Sequence, residues 1–439
     1  MVPTAVSGVL LLYNRPAFFR DAATITDHID AFGRYSKFPV VKLNSGGGFP
    51  SDLASMPFSA IVLHYSLFAS GPFPYLLDDQ FLAWLRESDA YKVAFFQDEH
   101  EYCGRRFEFL NAYDVDCVYT CFSPEQFDAT YGRYTKVERL VSYMPAYVSP
   151  DMVAEAERLH RPDAERAIDV GYRTRPTPPY FGRGGVEKME IGERFAERAD
   201  GAGLRLDISA REEDRLYGEH WYEFLANSRG QLGTESGASC VDLEDEVRGE
   251  YLELSEGGRE VTLEELERGA LGRWDGKVQL RSTSSRHFEA AAMRVCQIMY
   301  EGRYSGVLEA DRHYLALRKD FSNFDSVLAR FKDPEVRREI TETAYAELIV
   351  SGRYSYERFI AEFDQVLREA GLEPPRETEG RSLAIRGRPL KGRALHYLRG
   401  SSTWLLRNHP RTWRVTMVLL TPLWLTLGLV RKLRGVEDE

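Results

Sequence analysis

Residues 281–323 read RSTSSRHFEAAAMRVCQIMYEGRYSGVLEADRHYLALRKDFSN, and this stretch decides the fold. A hydroxyl-rich loop runs into a helix whose first turn carries Glu289, followed by Ala290, Ala291 and Ala292. The apolar run Val295–Tyr300 comes next and has the length and composition of a buried strand. Three small residues between them let the helix lie close on a sheet. The rhythm extends in both directions from here.

Upstream, Val9–Tyr13, Val40–Leu43, Ala60–His64, Lys92–Gln97 and Cys117–Thr120 are apolar runs of strand length, while Ala23–Tyr35 and Leu77–Arg86 carry apolar residues at helical spacing. Continuous apolar strands alternating with helices mark a parallel sheet covered on both faces. The pattern restarts with strand Ala167–Gly171, helix Val186–Ala199, strand Arg205–Ile208 and helix Arg215–Asn227. Helices are predicted from Ser322 or Asn323 to Lys332, over Pro334–Val350 and over Tyr354–Ala370. The expectation is α/β throughout: two Rossmann-like doubly wound domains facing a cleft, followed by a helical basic and apolar tail. The boundaries read as 1–150 for the first Rossmann-like domain, 151–165 for a connector, 166–371 for the second, 372–392 for a linker and 393–439 for the tail. Paired open sheets bind ligands beyond the carboxyl ends of their strands.

Composition narrows the class. The 439 residues are 43% hydrophobic and 28% charged with net charge −11, which excludes a disordered polymer and a multi-span membrane protein. Twelve Lys and Arg and no acid lie between Arg381 and Arg434, and three acids follow, so residues 1–380 stand at −20. No nucleic-acid surface is therefore expected on the body, and attraction to anions is confined to the tail. The five cysteines, Cys103, Cys117, Cys121, Cys240 and Cys296, lack zinc spacing and read as reduced packed thiols in a cytoplasmic protein. Val6–Tyr13 has no basic flank or cleavage site and reads as a first strand rather than a signal peptide. There is no P-loop, GxSxG, HExxH, EF-hand or GxGxxG, which weighs against dehydrogenase and kinase readings.

Candidate chemistry clusters at strand ends. Glu289 has the chemistry to accept two hydrogen bonds from a vicinal diol such as a ribose; it is equally readable as an acid favouring a helix N-terminus. Gly233-Thr234-Glu235-Ser236-Gly237-Ala238-Ser239 offers successive amides for an anion nest, or an ordinary turn. Ser284, Ser285 and Arg286 stand where the first helical amides lack partners. On the first domain, Asp98, Glu99 and His100 follow a strand and offer a general base for an acceptor hydroxyl. His64 and Tyr65 end another strand and are candidate acceptor contacts, with a structural role for either histidine as the alternative.

The stretch Ser284–Asn323 with Tyr354-Ser355-Tyr356, together with Asp169-Val170-Gly171-Tyr172-Arg173 and Gly233–Ser239, resembles the C-terminal domain of GT-B glycosyltransferases of the spore-maturation-protein (CgeB-like) type, over about residues 90–370. The resemblance implies transfer of a sugar from a nucleotide-sugar donor to a glycan or lipid-linked envelope acceptor, without a metal or other cofactor. It assigns Glu289 to the ribose, and Arg173 or Arg175 with Lys188 to the diphosphate. Gly233, Ser236, Gly237 and Ser284–Arg286 become further donor contacts. The wider group often carries a second glutamate seven residues before the ribose contact. Here that position is Arg281.

Finally, Val415–Val430 is sixteen residues without charge, bracketed by Arg414 and Arg431. As a helix it reaches about 24 Å, short of a bilayer core of roughly 30 Å, and Pro422 would kink it. With the amphipathic stretch Arg393–Arg414 before it, residues 393–434 are expected to attach the protein to an anionic membrane surface, peripherally or monotopically at the inner face. Packing on the acidic body or in a homodimer is the alternative. The rival to an enzyme is a non-catalytic GT-B-like binding or assembly protein at the membrane surface.

Overall fold

The computed structural model describes residues 8–15, 23–68 and 76–375. The tail, 393–439, and nearly all of the linker lie outside the described residues.

Six strands form the first sheet: β1 (Val9–Tyr13), β2 (Val40–Asn44), β3 (Ala60–Leu63), β4 (Tyr91–Phe95), β5 (Cys117–Thr120) and β6 (Arg139–Ser142). Their order is β2-β1-β3-β4-β5-β6 and every pairing is parallel. Val9, Leu10, Leu11 and Leu12 are all buried, as expected when helices cover both faces. Each such side chain contributes about 1.5–3 kcal/mol of transfer free energy.

The second half supplies β7 (Ile168–Arg173), β8 (Leu206–Ser209), β9 (Ser228–Gly233), β10 (Ser236–Ala238), β11 (Leu280–Ser282), β12 (Cys296–Tyr300) and β13 (Leu315–Leu317). Five of them build a parallel sheet in the order β13-β12-β9-β7-β8. Numbered by their own succession, these strands repeat the 2-1-3-4-5 order of the first sheet. The order reverses between β1 and β3 in one sheet and between β7 and β9 in the other. Such switch points are where doubly wound sheets leave a crevice for ligands. Two Rossmann-like doubly wound sheets thus face each other across a cleft.

Two segments differ from the sequence expectation. Helix Tyr356–Glu369, predicted as the end of the second domain, packs on the first sheet: Tyr356, Phe359, Ile360, Phe363 and Leu367 share a core with Val9–Leu12 and Phe95. Buried Asp364 fixes it there, accepting from the Ser36 hydroxyl at 2.7 Å and the Lys37 amide at 2.6 Å. The chain therefore crosses back, and Phe359 and Phe363 join Phe32 and Phe95 in one aromatic cluster. The Gly233–Ser239 segment, expected as a loop, contains β10, which pairs antiparallel with β11. At Gly237 φ is +88°, and a Cβ there would lie 1.8 Å from the Leu280 carbonyl oxygen, so only glycine fits this ribbon.

Candidate functional site

At the second sheet's switch point, β7 runs into Arg173-Thr174-Arg175 and β9 into Gly233-Thr234-Glu235. Arg173 does not face a ligand. Its guanidinium donates to the carbonyls of Asp207 and Asp214, pairs with the Asp207 carboxylate at 2.8 Å and stacks over Phe224, tying β8 to the sheet. Arg175, two residues on, is exposed and makes no hydrogen bond or ion pair with the described residues. This corrects the choice between the two: Arg173, the last residue of β7, is turned into the fold, and Arg175, past the strand's end, is left exposed.

Lys188 sits in helix Arg183–Arg198, and its ammonium donates to the Gly237 carbonyl at 2.7 Å. Burial, with Arg281, Arg175 and Arg286 nearby, pulls its pKa down to about 8, while Asp98 of the first sheet acts in the opposite sense. Several cations held close together and partly out of water are costly without an anion. Arg286, exposed, donates to the Arg173 carbonyl at 2.7 Å and lies over the Trp221 ring.

Ser284 is the N-cap of helix Ser285–Ala292; its amide donates to His287 Nδ1 at 2.9 Å, so that histidine is a buried capping partner. Glu289 therefore stands in the second turn, not the first, and is buried, which removes the reading as a helix-terminus acid. Its Oε2 accepts from the Trp221 indole at 2.7 Å, and burial raises its pKa. Gly233 closes β9 beside Met299 and His287, and Ser236 pairs with Ser282 across the β10–β11 ribbon, so both shape the wall through backbone.

Arg281 has become part of a buried ion network. Its Nη2 lies 2.5 Å from Glu187 and its Nε 3.3 Å from Glu235, while Lys319 reaches Glu187 at 2.5 Å. Glu235 also accepts from the amides of Arg303 and Tyr304, fixing the loop after β12. Neither Glu187 nor Glu235 stands out in the sequence. The available signal was the unexplained arginine itself, since a guanidinium in a buried strand needs carboxylates nearby.

The first sheet meets this edge through the loop after β4. Asp98 is exposed, and its carboxylate raises the proton affinity of both Lys188 and His100. His100 packs edge-on to Phe181 at 4.3 Å, and its carbonyl accepts from the Asp242 amide at 3.3 Å, so it marks the seam between the two halves. Its Nδ1 is buried without a partner among the described residues, and burial holds the ring neutral. Glu99 faces the other way. It accepts from the Thr120 hydroxyl at 2.5 Å, the Tyr131 hydroxyl at 2.6 Å and the Cys121 amide at 2.7 Å, with its pKa raised by burial to about 7. It locks β4 to β5 and is no candidate base.

His64 and Tyr65 are likewise withdrawn. Both are buried and their rings stack 3.9 Å apart. His64 Nδ1 accepts from the Ser66 amide at 3.1 Å, so the proton is on Nε2, which donates to His28 Nδ1 at 3.0 Å. The apolar surroundings keep both rings uncharged. The expected acceptor contact is thus a structural pair.

No family model matches the sequence, and no curated protein is significantly similar to it. Among solved structures, the fold is similar to an α-glucosyltransferase in complex with UDP and a 13-mer DNA containing a HMU base (TM-score 0.48, 10% identity, 83% of this chain and 99% of that one). It is similar to sucrose-phosphate synthase from Thermosynechococcus elongatus (TM-score 0.45, 10% identity, 83% and 99%). It is also similar to TarM (TM-score 0.39, 10% identity), covering 70% of this chain but only 54% of TarM.

Proposed function

We propose that this chain is a glycosyltransferase that takes a sugar from a nucleotide-sugar donor to a hydroxyl of a glycan or lipid-linked acceptor. The observation that carries the reading is the convergence of Lys188, Arg175 and Arg286 at the second sheet's carboxyl edge, opposite Asp98 and His100 of the first. The acceptor oxygen attacks the anomeric carbon, the bond from that carbon to the β-phosphate oxygen breaks, and the nucleoside diphosphate leaves. Its developing charge is met by the three cations, of which Lys188 and Arg286 are held in place in advance of the reaction. Asp98 or His100 takes the acceptor proton if the reaction inverts configuration. Glu289, whose carboxylate also meets Trp221 and Ser285, holds the ribose.

Calorimetry with UDP and GDP, followed by incubation with their sugar conjugates, tests this. Micromolar binding with slow release of free nucleotide is expected; no binding of either nucleotide ends the reading. The withdrawal of Glu99 and His64 from the cleft favours a second reading, a non-catalytic binding protein, for which nucleotide binds but no donor is ever broken down. Among the described residues no helix is long and apolar enough to cross a membrane. Attachment through residues 393–434 is part of the proposal, and with it a lipid-linked or envelope acceptor at the inner membrane face. Co-sedimentation with anionic vesicles is expected to vanish on truncation after Glu379.

A further inference from the structure

We infer that Asp245 is a positioning residue: from the second half of the chain it holds in place the loop that carries Asp98 and His100, the candidate bases of the first. The inference deepens the glycosyltransferase reading above and rests on it.

The segment between β10 and β11, residues 239–279, leaves the second sheet and packs on the first. Val241, Leu243 and Val278 are buried in the same core as Phe96, Cys103 and Phe107, while Val247, Val261, Leu266 and Leu271 close a small core of the segment's own. It is a folded block set against the first sheet.

Asp245 of this block meets the start of helix Cys103–Ala112, which follows the Asp98–Glu101 loop. Tyr102, the N-cap of that helix, is left-handed at φ 55° and its side chain caps nothing. The Asp245 carboxylate instead reaches the Cys103 and Gly104 amides from across the seam, so close that a Cβ on Gly104 would stand 3.0 Å from its Oδ2. Asp242 leaves it free for this task, since Asp242 itself caps helix Glu246–Leu254 at the amides of Glu246 (2.8 Å) and Arg248 (3.0 Å). Asp245 is also left-handed, at φ 59°, and Arg248 lies over the Tyr102 ring at 3.9 Å. Two such non-glycine residues persist where surrounding contacts demand them.

From the helix the constraint passes to the candidate base. Arg106, buried in its first turn, donates to the Asp98 carbonyl at 2.6 Å. The backbone of Asp98 is thus tied to a helix whose first amides are held by the other half of the chain. The same block continues from β10, whose Gly237 carbonyl holds Lys188, so the donor cation and the acceptor base share one support. Misplacing a reacting group by about 1 Å costs on the order of a hundredfold in rate.

The test follows the breakdown of nucleotide sugars by the full chain, together with amide hydrogen exchange over residues 98–106. Asp245→Gly suits the left-handed backbone and removes the carboxylate, so the variant should still fold. Its turnover should fall about ten- to hundredfold while nucleoside diphosphate affinity stays within about twofold, and exchange over 98–106 should quicken. Asp245→Asn keeps an acceptor at a left-handed position and should recover most of the loss. Gly104→Ala presses on the same contact from the other side while favouring its helix, so lower turnover with an undiminished melting temperature is expected. Combined with Asp98→Asn, or with His100→Gln where that is the change that lowers turnover, Asp245→Gly should cost nothing more, because it acts through the base. Additive losses, or unaltered exchange over 98–106 in Asp245→Gly, overturn the positioning role. A wild type that breaks down no donor overturns the transferase reading instead, and the exchange arm then decides by itself whether Asp245 holds the loop.

Discussion

The carboxyl edges of the two sheets share a strand order yet use their polar residues in opposite ways. At the first, His64 is spent on His28 and Ser66, and Glu99 on Thr120, Tyr131 and Cys121. At the second, Lys188 and Arg286 use backbone carbonyls and Arg175 uses nothing among the described residues, so their positive charge stays uncancelled locally. One edge is rigid and nearly neutral, exposing Asp98 alone of its expected catalytic trio; the other concentrates charge. Such a division suits a reaction in which most of the charge develops on a leaving group bound to one domain. The acceptor side then needs little beyond a firm wall and one base.

Asp98→Asn puts this contrast to its hardest trial. General-base catalysis contributes about 10²–10⁴-fold, so turnover in the variant should fall by that range while nucleoside diphosphate affinity stays within about threefold. Unchanged turnover would remove Asp98 as the base and leave His100 as the first edge's remaining candidate. Lys188→Met comes next in size. A charge-assisted hydrogen bond is worth about 1.5–3 kcal/mol, so diphosphate affinity should weaken about ten- to hundredfold by calorimetry. Arg173→Met, its structural neighbour, should lower the melting temperature and leave affinity alone. If the two variants behave alike, the distinction between a fold-holding and a ligand-holding cation collapses.

The buried histidines give the first edge a pH signature. His28 is kept neutral down to about 3 by burial, against an ordinary 6.5, and His64 is depressed as well. Between those values the unfolded chain binds protons that the folded one refuses. Stability is therefore complete above pH 6.5 and declines as pH falls, by up to about 1.4 kcal/mol per unit for each ring. His28→Phe suits the aromatic surroundings of Phe32, Phe95 and Phe359. It leaves His64 Nε2 without an acceptor, costing about 1–3 kcal/mol at pH 8. The decline from pH 6.5 to 5 should be shallower by one ring's share, up to about 1.4 kcal/mol per unit, the remainder being carried by His64, His100 and His287. Urea unfolding at pH 8, 6.5 and 5 reads both quantities, and parallel pH profiles would show that the pair carries no such signature.

What could be read in the sequence follows the physics of each edge. Val9–Tyr13, Ala23–Tyr35 and Cys117–Thr120 were legible to the residue because their periodicity is set locally by burial. Lys188 and Arg175 were legible as cations near a strand end. The inward turn of Arg173 and Glu99 was not, because it depends on partners far off in sequence: Asp207 and Asp214 for one, Thr120 and Tyr131 for the other. The return of Tyr356–Glu369 to the first sheet was hidden for a similar reason. An amphipathic helix states that it needs a core, and its pattern does not say which.

Glu289 offers the smallest effect and the finest distinction between the edges, since it is as buried as Glu99 yet sits on the side proposed to hold ligand. Trp221 donates to Oε2 and the Ser285 side chain also reaches the carboxylate, so a ribose hydroxyl would compete with Ser285 for it. Replacing a charged acceptor by a neutral one in Glu289→Gln should cost about 1 kcal/mol of nucleotide affinity, roughly fivefold. Loss of packing alone could mimic that number, so the decisive readout is a cycle with 2′-deoxy and 3′-deoxy nucleoside diphosphates. If the carboxylate meets the ribose, the wild type discriminates against at least one deoxy ligand, and the variant discriminates less, giving a coupling between residue and hydroxyl. If Glu289 only anchors Trp221, as Glu99 anchors Tyr131, the variant loses melting temperature, both nucleotides weaken equally and the coupling is zero. The second edge would then resemble the first at this position, and its ligand-holding character would rest on the cations alone.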